Sequence, residues 1–287
     1  MEDPNEKKMK ALLRLLSDPN EQVATTIQDQ LVQCGQSVLP HLTEAEQQDP
    51  TLRPRVTYIR EEIQFGTLKK EFQQCCSEHR DFIDLEMGAF LIAKSEYPTL
   101  KVANYIQVIQ NLADEVRGRL KATESPIQRI QDFNQFLFEE KGFRGNRTDY
   151  YDPENSFLNR VIDRRTGIPI SLSVLYLLLG KRLDLPVKGV GMPGHFLVKV
   201  DSPPPFLFID CFNGGILLQE SDCKKFLTDS GFSLDPWYLE PSSNQFILER
   251  MLRNLLGIYQ QRQELLRVKR VMALMAILQS QPDSSLN

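Results

Sequence analysis

The chain has 287 residues, more than one average domain and fewer than three full ones. Hydrophobic residues make up 41% and charged residues 25%, a globular balance that excludes disorder as the main state. The formal net charge of −4 excludes a strongly basic nucleic-acid binder, although a local basic patch remains compatible with it.

The longest aliphatic stretch, around residues 174–179, falls far below the ~18 residues of a membrane span. Residues 1–10 read MEDPNEKKMK and hold no apolar stretch that could serve as a signal peptide. A cytoplasmic protein is expected. Cys34, Cys75, Cys76, Cys211 and Cys223 form no CxxC pair and are odd in number, which argues against a disulfide framework. His41, His79 and His195 share no helical i, i+4 spacing, so a zinc site has little to build on, and no cofactor is expected.

In chain order, the first third reads as helices. Met9, Leu12, Leu13, Leu15 and Leu16 repeat at near-helical spacing, and Ser17-Asp18-Pro19-Asn20 ends one helix and begins the next. A second helix is predicted over 21–34, with Val23, Ile27 and Leu31 on one face and Gly35 as its stop. A third begins over 38–46. Helix, Asp-Pro turn, helix, Gly, Leu-Pro resembles a HEAT-type repeat. Such a unit serves either as a partner-binding surface or as a helical cap, and the cap is the expectation.

Residues 81–141 continue as helix. Ala89 to Ala93 form an apolar run broken at Tyr97-Pro98, and Val102, Ile106, Ile109 and Leu112 make the next face. Ser125-Pro126 reads as N-cap and first turn of a helix carrying Ile130, Phe133, Phe136 and Leu137, ended by Gly142. From Gly145 turn residues and aromatics crowd together. Strands are predicted over 195–200 and 206–212, joined across Ser202-Pro203-Pro204-Pro205, because consecutive prolines cannot sit inside a ladder. Two helices follow, over 246–261 and 265–278, in a pattern resembling one tetratricopeptide unit that ends at Pro282.

The chemistry concentrates around Gly167-Ile168-Pro169-Ile170-Ser171. The helix that follows is apolar on every side from Val174 to Leu179, so protein must surround it. Polar groups at its first turn feel the positive end of its dipole, which favours negative charge there. In the predicted hairpin, residues whose numbers sum to 405 face each other, which sets His195 opposite Asp210. Opposed side chains have Cβ atoms ~4.5–5.5 Å apart, close enough for a carboxylate to orient an imidazole. His195, Leu197, Phe208 and Asp210 then share one face, and Cys211 points to the other. The plainer alternative has His195 capping a strand and Asp210 serving a turn.

Buried helix with a polar first turn, Pro-Gly-His-Phe opening a strand, and Ile-Asp-Cys-Phe-Asn-Gly-Gly closing the next resemble the transglutaminase-like core. More narrowly, the chain is similar to the bacterial SirB-type family, described as regulators of sirC expression, with tetratricopeptide-like helices after that core. The matching residues are Asn155, Ser156, Leu158, Asn159, Val161, Arg164, Arg165, Gly167-Ile168-Pro169, Ser171, Leu172, Tyr176, Gly189, Pro193-Gly194-His195-Phe196, Asp210 and Asn213-Gly214-Gly215. Eukaryotic F-box proteins with a related domain share the architecture less closely. The resemblance implies a mainly helical α+β, cysteine-protease-like fold, in which a cysteine attacks an amide, a histidine is its base and an aspartate orients the histidine.

Carried over, His195 is the histidine and Asp210 the aspartate. The nucleophile has no counterpart, since no cysteine lies in 145–200 and the expected position falls within 169–171. Three accounts stand: Ser171 replaces the cysteine, or merely caps its helix; Cys211 acts from the neighbouring strand; or the site has no nucleophile, and His195, Asp210 and nearby polar groups fix the fold or bind a peptide. Asn155, Asn159, Arg165, Pro169, Tyr176 and Asn213 are expected around the cleft, and Tyr150-Tyr151 either line its mouth or pack. Arg164-Arg165 and Lys181-Arg182 read as solvated faces or ion pairs, His41 and His79 as surface residues, and Trp237 as packing for the C-terminal helices.

The sequence thus leads to a HEAT-like cap (1–80), a transglutaminase-like domain (81–245) and a tetratricopeptide-like hairpin (246–287). The expected function is non-catalytic protein binding and regulation, with a protein or peptide partner, no nucleic acid and no membrane. The rival is an amide hydrolase or acyltransferase using Ser171, His195 and Asp210.

Overall fold

The computed structural model describes residues 4–77, 83–120 and 125–280, with side chains from residue 7 onward. His79 and Pro282, singled out in the sequence, lie outside these residues. Two compact units are present, Met1–Glu71 and Phe72–Asn287.

The first unit is helical: α1 (Pro4–Leu15), α2 (Glu21–Gln33), α3 (Leu39–Gln48) and, up to Glu71, α4 (Arg53–Ser77). Asn20 starts α2 by accepting the Gln22 N–H at 3.0 Å, which satisfies one of the donors left unpaired at a helix start. Leu16, Ile27, Leu31, Leu42, Ile59 and Ile63 share its core. The sequence reading assigned no element to α4, although Val56, Ile59 and Ile63 recur there at three- and four-residue steps.

The second unit opens with α5 (Leu85–Lys94), α6 (Val102–Arg117) and α7 (Pro126–Asn134). Ser125 caps α7 as expected, its Oγ accepting the Gln128 N–H at 3.2 Å. A π-helical stretch, Gln135–Glu140, extends α7. After β1 (Arg144–Gly145), α8 (Leu158–Arg164) and β2 (Thr166–Gly167) comes α9 (Pro169–Arg182). Strands β3 (Val187–Met192), β4 (His195–Val200), β5 (Leu207–Asp210) and β6 (Ile216–Gln219) form one antiparallel sheet in that order. Helices α10 (Glu220–Asp229), α11 (Asn244–Gln261) and α12 (Leu265–Gln279) complete the unit. The sequence reading anticipated β4, β5 and the last two helices; β3, β6 and α10 are additions.

Two features of the sheet set the site. The β3–β4 turn is Pro193-Gly194, and Gly194 takes φ +73, a value that costs a residue with a Cβ and suits glycine. That turn delivers His195 as the first residue of β4, paired with Met192. The β4–β5 register differs from the expected one: Val198 faces Ile209 and Lys199 faces Phe208, so facing numbers sum to 407. The proline turn is centred later than assumed. Because the slip is two residues, it moves the opposing pair along the strand without exchanging faces. His195 and Asp210 therefore remain on one face as diagonal neighbours.

The alternation of the strands separates two cores. Val190, Leu197 and Phe208 pack with Cys223 and Leu227 of α10. Residues of opposite parity on β4 serve the other side, where α9 packs against the sheet. Every residue of α9 from Pro169 to Tyr176 is buried, Ser171 and Ser173 included, as expected of a helix whose apolar run from Val174 leaves it no polar face.

Tyr176 was expected at the cleft. It is instead sealed in the core at 0% exposure, where its hydroxyl donates to Asn134 Oδ1 at 2.8 Å, and Asn134 Nδ2 donates to the Gly215 carbonyl at 2.7 Å. A large ring on the second turn of a helix enclosed by protein has no open side to reach. This chain of bonds ties α9 to α7 and to the loop after β5. Tyr176→Phe leaves Asn134 Oδ1 buried without its donor, and should cost about 1–3 kcal/mol in chemical denaturation; unchanged stability would show that the bond does not hold these elements together.

Candidate functional site

Asp210 ends β5 and acts as the cap of the short 3-10 turn Cys211–Asn213. Its Oδ1 accepts the backbone N–H groups of Phe212 and Asn213, each at 3.1 Å. Its Oδ2 accepts Asn213 Nδ2 at 2.7 Å and lies 2.9 Å from His195 Nε2. A carboxylate can only accept, so in the neutral imidazole Nε2 carries the proton and Nδ1 is left with its lone pair. The side chains are only 13% and 8% exposed. Burial alone would raise the Asp210 carboxyl; the His195 hydrogen bond and charge, with the Asn213 side chain and backbone, outweigh it and hold the group below its ordinary value. Asn213 is held in turn by Arg147, whose Nη2 donates to Asn213 Oδ1.

This pair lines a groove of about 640 Å³ together with Pro169, Phe212, Asn213 and Phe226, within the range of ligand pockets. Phe226 of α10 lies 5.8 Å from the imidazole, centroid to centroid. On the other side the rim is Arg147, Tyr150 and Tyr151. Tyr150 meets Tyr151 and Phe212 edge-on at 5.3 and 5.9 Å. The loop carrying these residues is pinned from beneath by Asn155. Its Nδ2 donates to the Asp149 and Tyr150 carbonyls, and its Oδ1 accepts Asn146 Nδ2 at 3.0 Å.

Of the cleft residues expected from sequence, Pro169 and Asn213 line the groove, as does Tyr150-Tyr151 at its mouth. Asn155 and Asn159 are buried and outside the groove wall, the Asn155 amide being taken up by Asn146, Asp149 and Tyr150 of the preceding loop. Arg165 is exposed at the left-handed end of α8, φ 54, and is likewise no part of the wall. Arg164 pairs with Asp152 and Glu154, and Arg182 with Glu86, the structural roles expected of those cations. Trp237 does not pack the last helices: it is 54% exposed and meets Tyr238 at a tilt of 50° with ring centroids 4.5 Å apart, because its short 3-10 turn runs over the surface.

Ser171 cannot act as a nucleophile in this geometry. It is 0% exposed. Its Oγ accepts the Ile168 N–H at 3.1 Å and donates to the Asn155 carbonyl at 2.5 Å, which closes the first turn of α9 as the second half of a capping box does. The residue that α9 shows to the groove is Pro169, with no nucleophilic atom. Cys211 is fully buried on the opposite face beside Ser173 and Tyr176, and burial pushes its thiol well up.

Sequence reasoning passed over Cys223, which does line the groove. It is 1% exposed among the aliphatic residues beneath α10. Burial, reinforced by the negative charge of Asp222, pushes its thiol up to about 12, so it is protonated at neutral pH and a poor nucleophile. The spacing of Cys223, Phe226 and Leu227 was the available signal for α10 and its inward face. Among the described residues, no group of three His, Cys, Asp or Glu side chains is placed to hold a metal ion, and no helix is long and apolar enough to cross a membrane.

Residues 103–253 match the sequence profile of the transglutaminase-like superfamily. The chain belongs to that superfamily. The match encloses α9, His195, Asp210 and α10, hence the whole groove. Among curated proteins, a UPF0162 protein of Xylella fastidiosa strain Temecula1 is 36% identical over 183 residues, covering 62% of this chain and 65% of its own length. A UPF0162 protein of Vibrio cholerae is 30% identical over 180 residues, 62% of this chain and 67% of that protein. The human F-box only protein 21 is 32% identical over 143 residues, 47% of this chain and 22% of that protein. The chain thus spans just under two thirds of the Xylella relative. No solved structure matches it.

The transglutaminase-like site makes a pH prediction. A carboxyl held below its unfolded value stabilises the fold above the unfolded pKa, near 3.9, and that contribution is lost as pH falls through the lower folded value. In denaturant titrations between about pH 5 and pH 2, the wild type should lose stability more steeply than Asp210→Asn; parallel pH dependences would mean that the carboxylate is not preferentially stabilised in the folded protein.

Proposed function

We propose that this chain is a non-catalytic, transglutaminase-like protein of the SirB type, and that its groove binds a peptide segment of a protein partner. In this reading residues 1–80 are a HEAT-like cap, 81–245 the transglutaminase-like domain and 246–287 a tetratricopeptide-like hairpin. The protein works in the cytoplasm without a cofactor, and neither nucleic acid nor membrane is its partner. A role in regulating expression would be exerted through that partner.

The observation that carries this reading is the occupant of the nucleophile's place. His195 and Asp210 are held in a base-and-orienter arrangement, yet the start of α9 offers Pro169 to the groove. The hydroxyl nearest in sequence, that of Ser171, is consumed by backbone bonds. An acyl-transfer mechanism needs a nucleophile within hydrogen-bond reach of its base. An imidazole with a free lone pair, aromatic walls and a hydrogen-bonding rim suit binding without one.

The experiment combines chemical probing with binding. A fluorophosphonate probe should leave Ser171 unlabelled, iodoacetamide should alkylate Cys223 no faster than an unactivated buried thiol, and no amine should be incorporated into a glutamine-containing protein. Peptides selected from a displayed library by the wild type should be released by Phe226→Ala and His195→Ala variants that retain native circular dichroism. Labelling or amine transfer that disappears in Ser171→Ala would overturn the non-catalytic reading, and a peptide set bound equally by both groove variants would move binding elsewhere.

A further inference from the structure

The groove is chemically polarised, and its polarity names a ligand class. At one end, Phe226 stands beside His195 and is 39% exposed. Phe232, 41% exposed, has its ring close enough to Gly194 that a Cβ there would meet it at 3.9 Å. These two rings offer apolar surface next to the β3–β4 turn. At the other end stands Arg147, over the Phe212 ring at 5.6 Å and bonded to Asn213 through one Nη2 donor only.

Among the described residues no carboxylate lies within ion-pair distance of Arg147, so most of its donor fork faces solvent. A second guanidinium, Arg250, stands at the β3–β4 turn, where it donates to the backbone carbonyls of Met192 at 3.1 Å and His195 at 3.5 Å, again with no carboxylate partner among the described residues. The two carboxylates of the groove have donors of their own and make no ion pair with Arg147. Asp210 is committed to its four hydrogen bonds, and Asp222, on the Phe226 side, accepts the Gln219 N–H at 2.8 Å as α10 begins. An arginine fork in this setting is built to take a carboxylate.

Resting on the peptide-binding reading above, we infer that the groove selects a peptide segment carrying an apolar side chain for Phe226 and Phe232 and, a short distance along, a carboxylate for Arg147. His195 lies between the two subsites. Its Nδ1 lone pair is placed to accept a hydrogen bond from a backbone N–H of the segment. The backbone crosses the dyad, and the flanking side chains decide which peptide stays.

The test uses the full chain and immobilised Gly/Ser peptides, each carrying one Phe and, at successive spacings in either direction, one Glu, Gln or Lys. Wild-type protein should retain the Glu peptides ~5–10-fold better than their Gln counterparts at one favoured spacing, and the Lys peptides least, as expected for a charge-assisted contact at a partly exposed site. Arg147→Glu should invert the order towards Lys, and Arg147→Gln should level it. Phe226→Ala should weaken all three at that spacing alike. Retention of Phe peptides without discrimination among Glu, Gln and Lys, or discrimination unchanged in Arg147→Glu, would overturn the carboxylate subsite while leaving peptide binding in place. Retention of no peptide by the wild type would overturn both readings together.

Discussion

The hydrogen-bonded carboxylate of Asp210 is the constraint on which the site depends. Four donors converge on it: two backbone N–H groups of the turn it caps, the Asn213 amide and the His195 ring. A buried charge with so many well-placed donors is stable as an anion, and an anion so placed fixes both the rotamer and the proton position of its imidazole. The rest of the unit supplies the frame. A glycine turn starts β4 at His195, α9 fills one side of the sheet, and α10 brings Phe226 to the other. Arg147 reaches the same network through Asn213, so the groove's charged end and its dyad are one connected assembly.

A cysteine-protease-like arrangement divides its work between a helix start and two strands. Here the strands keep their part and the helix start has changed. At α9 the hydroxyl of Ser171 turns inward to satisfy the Ile168 N–H and the Asn155 carbonyl, which are buried groups that would be costly unpaired. Its loss would be felt as instability before it was felt as chemistry. The Asn155 side chain in turn anchors the loop that carries Tyr150, so the bonds that remove Ser171 from catalysis adjoin those that shape the groove mouth.

Much of this was legible in the sequence for physical reasons that can be named. The all-apolar run after Ser171 demanded a buried helix, Pro193-Gly194 demanded a turn before His195, and the three prolines demanded a break between strands. The parity of His195 and Asp210 survived an error in the register because the shift was even. What could not be read were distances set by tertiary packing. Tyr176 matched the family pattern but faces the core, since a residue's family match does not say which side of a helix meets solvent. Arg147 lay in a stretch with no periodicity, and Cys223 on a helix that the surrounding turn residues concealed. Ser171 was recognisable as a capping residue; only coordinates distinguish a hydroxyl turned back to the backbone from one offered to a ligand.

The site turns on one proton. Long-range nitrogen–proton correlation spectra of uniformly labelled protein, recorded above the pH at which the ring becomes neutral, report which ring nitrogen of His195 is protonated, with His195→Gln supplying the assignment. A ring protonated at Nε2, converting to averaged nitrogen shifts in Asp210→Ala, is the expected result. Protonation at Nδ1 in the wild type, or rapid averaging already present with Asp210 intact, would mean that the carboxylate does not hold the imidazole and that the groove lacks the ordered centre described here.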